Sequence, residues 1–129
     1  MRLLLDTHAL FWSLEASVKL SPAALTAIQD PLNDRLLSAA TVWELSIKVG
    51  QGKLALSLPY RQWIEKAITD LKLTILPVTV EYADRQSTLP WHHKDPFDRL
   101  LIAQALVEGI PIISVDVAFD PYGVTRIWF

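Results

Sequence analysis

The chain has 129 residues, of which 51% are apolar and 20% charged, with no cysteine and a formal net charge of −2. This composition excludes a disordered or low-complexity chain, a disulfide scaffold, a thiolate metal site and a cysteine nucleophile. The mild acidity argues against a binder that grips nucleic acid by bulk positive charge, and the apolar runs are too short for a membrane span. Met1–Leu5 meets Asp6 at once, too soon for the apolar region of an export signal, so a cytoplasmic location is expected.

In chain order, Arg2–Leu5 reads as a buried strand and Thr7–Leu14 as a helix. Ser21–Gln29 is a second helix, with Ser21 as N-cap and Pro22 at its first position. Arg35–Ser38 is a strand, followed by a helix over Ala40–Val49 that stops at Gly50. Gly50–Leu58 reads as a loop and Pro59–Asp70 as an amphipathic helix. Leu73–Val78 is a strand, Val80–Ser87 a short helix, and Asp95–Glu108 a helix closed by Gly109. Ile112–Val115 and Val124–Trp128 complete the strands. Strands alternating with helices predict a parallel sheet of four to five strands covered on both faces, a three-layer α/β/α sandwich. In such sheets a site forms at the carboxyl ends of the strands.

Two strands end in a carboxylate: Asp6 follows Leu3–Leu5, and Asp116 follows Ile112–Val115. Each alone also fits a cap or turn. Asp98 shares its helix face with Leu101, Ile102 and Ala105, so it faces the sheet, where a bare charge needs a partner. Asp95 fits the N-cap of that helix, with Pro96 after it. Glu44 has Lys48 four residues on, a spacing that places it on a solvent-facing stripe. Carboxylates gathered at one sheet edge repel one another, and hard divalent cations with oxygen ligands relieve that repulsion. Phosphodiester hydrolysis is the reaction class that follows.

The blocks Leu3–His8, Thr41–Leu45, Asp95–Ala105 and Ile113–Asp116, in this order, resemble the four acidic blocks of PIN domains, and more narrowly VapC-type toxins of type II toxin–antitoxin pairs. The resemblance runs over almost the whole chain and implies a single PIN-like nuclease domain over residues 1–129. It implies a Mg²⁺- or Mn²⁺-dependent ribonuclease whose metal-binding and catalytic acids map onto Asp6, Glu44, Asp98 and Asp116. For Glu44 this opposes the surface reading from spacing. The hydroxyls of Thr7 and Ser114 lie beside two of these acids and would support them. The resemblance further implies a homodimer and a small antitoxin that blocks the site. A catalytically silent PIN-like module, acting only through that antitoxin, is the alternative.

Asp120 fits an outer acid or, with Pro121, a turn. His92 and His93 read as a solvated loop. Lys48, Lys53, Lys94 and Arg99 are candidate contacts to RNA phosphates. The five Trp read mostly as core or half-buried, with Phe11 and Trp12 as candidate partner-facing aromatics. Gly50–Lys53 lacks the spacing and the preceding strand of a phosphate loop. The first strand carries one acid, not the adjacent pair of a receiver domain, and His8 stands where a haloacid-dehalogenase-type phosphatase needs a second Asp.

Overall fold

A computed structural model describes residues 1–129. Its elements are β1 (Arg2–Leu5), α1 (Thr7–Glu15), α2 (Pro22–Gln29), β2 (Asp34–Ser38), α3 (Ala39–Gly50), α4 (Tyr60–Asp70), β3 (Thr74–Leu76), α5 (Val80–Ser87), α6 (Pro96–Glu108), β4 (Ile112–Ile113) and β5 (Arg126–Ile127). Short 3₁₀ segments, unforeseen in the sequence, cover Ser17–Lys19 and Val117–Tyr122.

The five strands are all parallel, in the order β3-β2-β1-β4-β5. The central strand is β1, whose leucines are buried on both faces, which is why it reads as a continuous apolar run. Its alternation divides the core. Leu3 and Leu5 pack with Leu10, Ile28, Leu45 and Trp63 on one face, while Leu4 packs with Tyr82, Leu101, Ile102 and Phe119 on the other. Helices therefore cover both faces and the three-layer α/β/α architecture follows.

The connection from β1 leads outward to β2 and β3 on one side, while β4 and β5 lie on the other. The strand order thus reverses beside β1, and the cleft expected at such a switch point falls at the carboxyl ends of β1 and β4. Strands β3, β4 and β5 are shorter than the sequence predicts. β3 ends at Leu76 because Pro77 has no N–H to continue the ladder. β4 ends at Ile113 because the Ser114 hydroxyl accepts the Asp116 N–H at 3.0 Å and turns the chain.

Candidate functional site

Asp6 and Asp116 leave β1 and β4 at this cleft, and both divide their oxygens between two tasks. Asp6 Oδ1 accepts the Ala9 N–H at 2.8 Å and so caps α1, leaving Oδ2 without a backbone partner. Asp116 Oδ1 accepts the Ala118 N–H at 2.9 Å and opens the second 3₁₀ segment, while Oδ2 faces the cleft. Capping and a place in the cluster are therefore compatible at both strand ends. Ser114, fully buried, lies beside Asp6 and its hydroxyl opposes the rise in the Asp6 pKa.

Two helices deliver the other acids. Glu44 is only 4% exposed, which corrects the solvent-facing position drawn from its spacing. α3 wedges between the layers, with Ala40 in one core face and Leu45 in the other, so the Glu44 stripe meets Thr7 and not water. The Thr7 hydroxyl donates to Glu44 Oε1 at 2.5 Å, and Lys48 Nζ lies 2.7 Å from Oε2. Asp98 lies in the first turn of α6. Asp95 caps that helix, its Oδ1 accepting the N–H groups of Phe97 and Asp98 at 2.8 and 3.1 Å.

Burial, then repulsion from Asp95, Glu44 and Asp6, pushes the Asp98 carboxyl up to about 7, against an opposing pull from His93. The Asp6 carboxyl is raised too, chiefly by burial, with Asp116 adding to it. Asp98 therefore feels Asp95, Glu44 and Asp6, and Asp6 feels Asp116. No arginine or lysine forms an ion pair with Asp6, Asp98 or Asp116, although the Arg126 charge reaches Asp116 from a distance.

His93 occupies the position that a cation would favour. Its Nε2 lies 3.0 Å from Asp98 Oδ2 and 3.8 Å from Asp116 Oδ2, which corrects its assignment to a solvated loop. The ligand atoms of His93, Asp98 and Asp116 all fall within 4.8 Å of one another. Nδ1 accepts the Asp95 N–H at 3.2 Å, so in the neutral ring the proton resides on Nε2, aimed at the carboxylates. In that tautomer His93 is a donor to the acids.

The basic candidates separate sharply. Arg99 is 2% exposed, and its guanidinium donates to the carbonyls of Gln86, Leu89, Pro90 and His93 while stacking 3.8 Å from the Trp91 ring centre. With its donors spent inside the fold, Arg99 leaves the set of phosphate contacts. Lys48 is committed to Glu44, whereas Lys53 and Lys94 are exposed and free of ion pairs. Asp120 is exposed and paired with Arg126 at 2.9 Å, outside the cluster. Phe11 and Trp12 are half-buried, against Trp63 and Trp128. Trp43 and Trp91, by contrast, are 64% and 74% exposed, against the expectation of half-burial.

Comparison with known proteins bears on the same elements. The PIN domain family pattern matches residues 3–124. Ribonuclease VapC22 of Mycobacterium tuberculosis is 30% identical over 115 residues, covering 88% of this chain and 85% of that protein. The crystal structure of VapBC2 from Rickettsia felis, bound to a DNA fragment from its promoter, superposes with a TM-score of 0.71 at 16% identity, over 98% of this chain and 97% of that one. FitAcB from Neisseria gonorrhoeae gives a TM-score of 0.68 at 22% identity, over 96% and 95% of the two chains. At such identities these two structures establish a shared fold. With the family pattern spanning nearly its full length and a VapC ribonuclease as a sequence relative, the chain belongs to the PIN-domain family, among its VapC-type proteins.

Proposed function

We propose that the chain, acting over residues 1–129 as one nuclease domain, is a divalent-metal-dependent endoribonuclease and the toxin of a toxin–antitoxin pair. The observation that carries this reading is the cleft itself. Asp98 and Asp116 meet at His93, Asp6 and Glu44 lie within electrostatic reach of Asp98, and burial and repulsion raise Asp6 and Asp98. Mutual repulsion without a guanidinium or ammonium on three of the four is the arrangement that a hard cation satisfies. The donor set fits: carboxylate oxygens from Asp6, Asp98 and Asp116, with Glu44 behind Thr7 and Lys48. Mg²⁺ or Mn²⁺ bound there would supply positive charge to a phosphoryl group and lower the pKa of water.

The chain's own residues prepare that site. Backbone N–H groups of Ala9 and Ala118 fix one oxygen each of Asp6 and Asp116. Thr7 fixes Glu44, and the His93 Nε2–H orients Asp98. Lys53 and Lys94 are the free cations available to RNA phosphates. The ribonuclease among the sequence relatives supports an RNA substrate for this chain, and the VapBC assemblies among the structural neighbours support an antitoxin partner. A homodimer and a cytoplasmic location complete the proposal; no helix is long and apolar enough to cross a membrane.

The test is cleavage of single-stranded RNA by the purified chain with Mg²⁺, with chelator, and as Asp6→Asn. Loss of several kcal/mol of transition-state stabilisation predicts a fall of about a thousandfold in Asp6→Asn, with the fold retained. Wild-type rates in that variant would remove Asp6 from the site. Absence of cleavage by the wild type under every metal condition would favour a silent module that acts through its antitoxin.

A further inference from the structure

The two helix-borne acids share a feature that the strand-borne ones lack. Each directly follows an aromatic residue, Trp43 before Glu44 and Phe97 before Asp98. Successive helical residues are turned ~100° apart, so an acid facing the cleft sets its predecessor on the flank. Both flanks open on the same side. The Trp43 and Phe97 ring centres lie 5.5 Å apart, edge to face at 73°. They wall a groove of about 310 Å³ with Ala40 and Leu100 at its base and Val78 and Gln86 at its rim.

Trp43 is 64% exposed, an indole left in water beside an acidic cleft, and an exposed large aromatic is the informative kind of surface residue. An edge-to-face contact with Phe97 leaves an indole face open. No carboxylate lines the groove, although four converge next door, so a polyanion that reaches the cleft meets no repulsion here. Unpaired RNA bases splay from the strand and stack on aromatic faces, whichever base is present. The rim Gln86 adds a carboxamide whose Nε2 donates to the Pro96 carbonyl at 3.3 Å, which leaves its oxygen and second N–H for a base edge. A strand with a phosphodiester at Glu44 and Asp98 carries its adjoining base past the residues that immediately precede them.

From this continuity we infer that Trp43 and Phe97 form a stacking subsite for the unpaired base beside the cleaved phosphodiester. The inference rests on the ribonuclease reading above. The subsite holds the strand in register through base-face contact, while the acids act on its backbone.

The test uses the full chain as Asp6→Asn with Mg²⁺, so that RNA stays intact, and compares Trp43→Leu and Trp43→Phe on that background. The probes are a short single-stranded RNA of mixed sequence and an abasic strand of the same length. Trp43→Leu is expected to weaken binding of the base-bearing strand about tenfold, the equivalent of ~1.4 kcal/mol, and to leave the abasic strand unchanged. Trp43→Phe restores most of the loss, which a merely unfolded variant would not do. If both strands bind and their difference in affinity is the same with and without the indole, the subsite is overturned. It is also overturned if Trp43→Leu leaves RNA binding intact while dissociating the protein into monomers, which would make this face an interface between copies. Failure of the ribonuclease reading looks different: the wild type then cleaves no RNA, and neither strand binds.

Discussion

At the amino end of the sheet Glu108 accepts hydrogen bonds from the Tyr82 hydroxyl at 2.9 Å and from Arg2 at 3.1 Å, and these bonds hold its carboxyl below the ordinary range. At the carboxyl end Asp6 and Asp98 are pushed above that range, first by burial and then by neighbouring acids. The same side-chain chemistry thus serves two ends. Where each acid has a donor, charge ties elements together, as Asp120 with Arg126 and Glu15 with Ser57 and Trp63 also show. Where acids face one another, the fold holds a charge that it does not itself neutralise. A cleft of that kind is costly to the protein alone, and a bound cation would relieve that cost.

Arg99 provides the largest expected effect, because it follows Asp98 in sequence yet gives no hydrogen bond to any acid. Its guanidinium binds four carbonyls of the segment that carries His93 into the cleft. Lysine offers donors from a single point and cannot span four acceptors. Arg99→Lys should therefore lower stability by about 3 kcal/mol, the scale of hydrogen bonds to charged groups. Thermal melts check this. The Mg²⁺-induced rise in melting temperature should persist, since the carboxylates remain. If stability were unchanged and only RNA affinity fell, Arg99 would belong with the site after all, and the division between structural and cleft charges would break there.

How much of this was legible in the sequence depended on whether the signal was local. The leucine run of β1, the Ser21–Pro22 start of α2 and Gly109, which closes α6 at φ 64°, are local signals and each marks its element. Asp6, Asp98 and Asp116 were visible as acids at strand ends or on an apolar helix face. Glu44 was not visible from its spacing, because its burial follows from α3 contacting both core faces, and only the family resemblance pointed to it. Arg99 was misread for a related reason: its acceptors are loop carbonyls, and backbone oxygens leave no trace in a sequence. His93 was placed in water because its role depends on the turn that folds it over α6.

The metal provides the next test of the contrast. At a hundred times its dissociation constant, one Mg²⁺ adds about 2.7 kcal/mol to stability, and Asp98→Asn should lose most of that gain. The effect should depend on pH. Asp98 titrates at about 7 in the fold against a reference of 3.8, so the stability linked to its proton is fully present below ~4 and is lost as pH rises through ~7. Glu108 and Glu15 have lowered values, so their contribution is present above the reference of 4.5 and lost as pH falls below it. Without metal, these opposing trends place maximum stability near about pH 5; with Mg²⁺ the maximum moves toward neutrality. Melting curves across this range, with chelator and with Mg²⁺, check the shift. Identical profiles would mean that the cluster does not bind the ion.

The smallest effect separates two acids in one turn of helix. Asp95 caps α6 through the N–H groups of Phe97 and Asp98, and its charge also raises the Asp98 carboxyl. It therefore stabilises α6 by its geometry and opposes the ionisation of Asp98 by its charge. Two substitutions pull these apart. Asparagine keeps the capping oxygen and removes the charge, whereas alanine removes both. Asp95→Ala should cost about 1 kcal/mol, the usual loss for an N-cap. Asp95→Asn should cost nothing in the metal-free protein or stabilise it slightly, because the cap remains and a repulsion is gone. Both variants should keep most of the RNA cleavage at saturating Mg²⁺ if Asp95 is a cap and not a ligand. Paired chemical melts of the two variants, with cleavage rates beside them, read all three quantities. If Asp95→Asn lost cleavage as fully as Asp98→Asn while remaining as stable as the wild type, Asp95 would be a member of the metal-binding set, and the boundary between cap and cleft would lie one residue pair earlier in the chain.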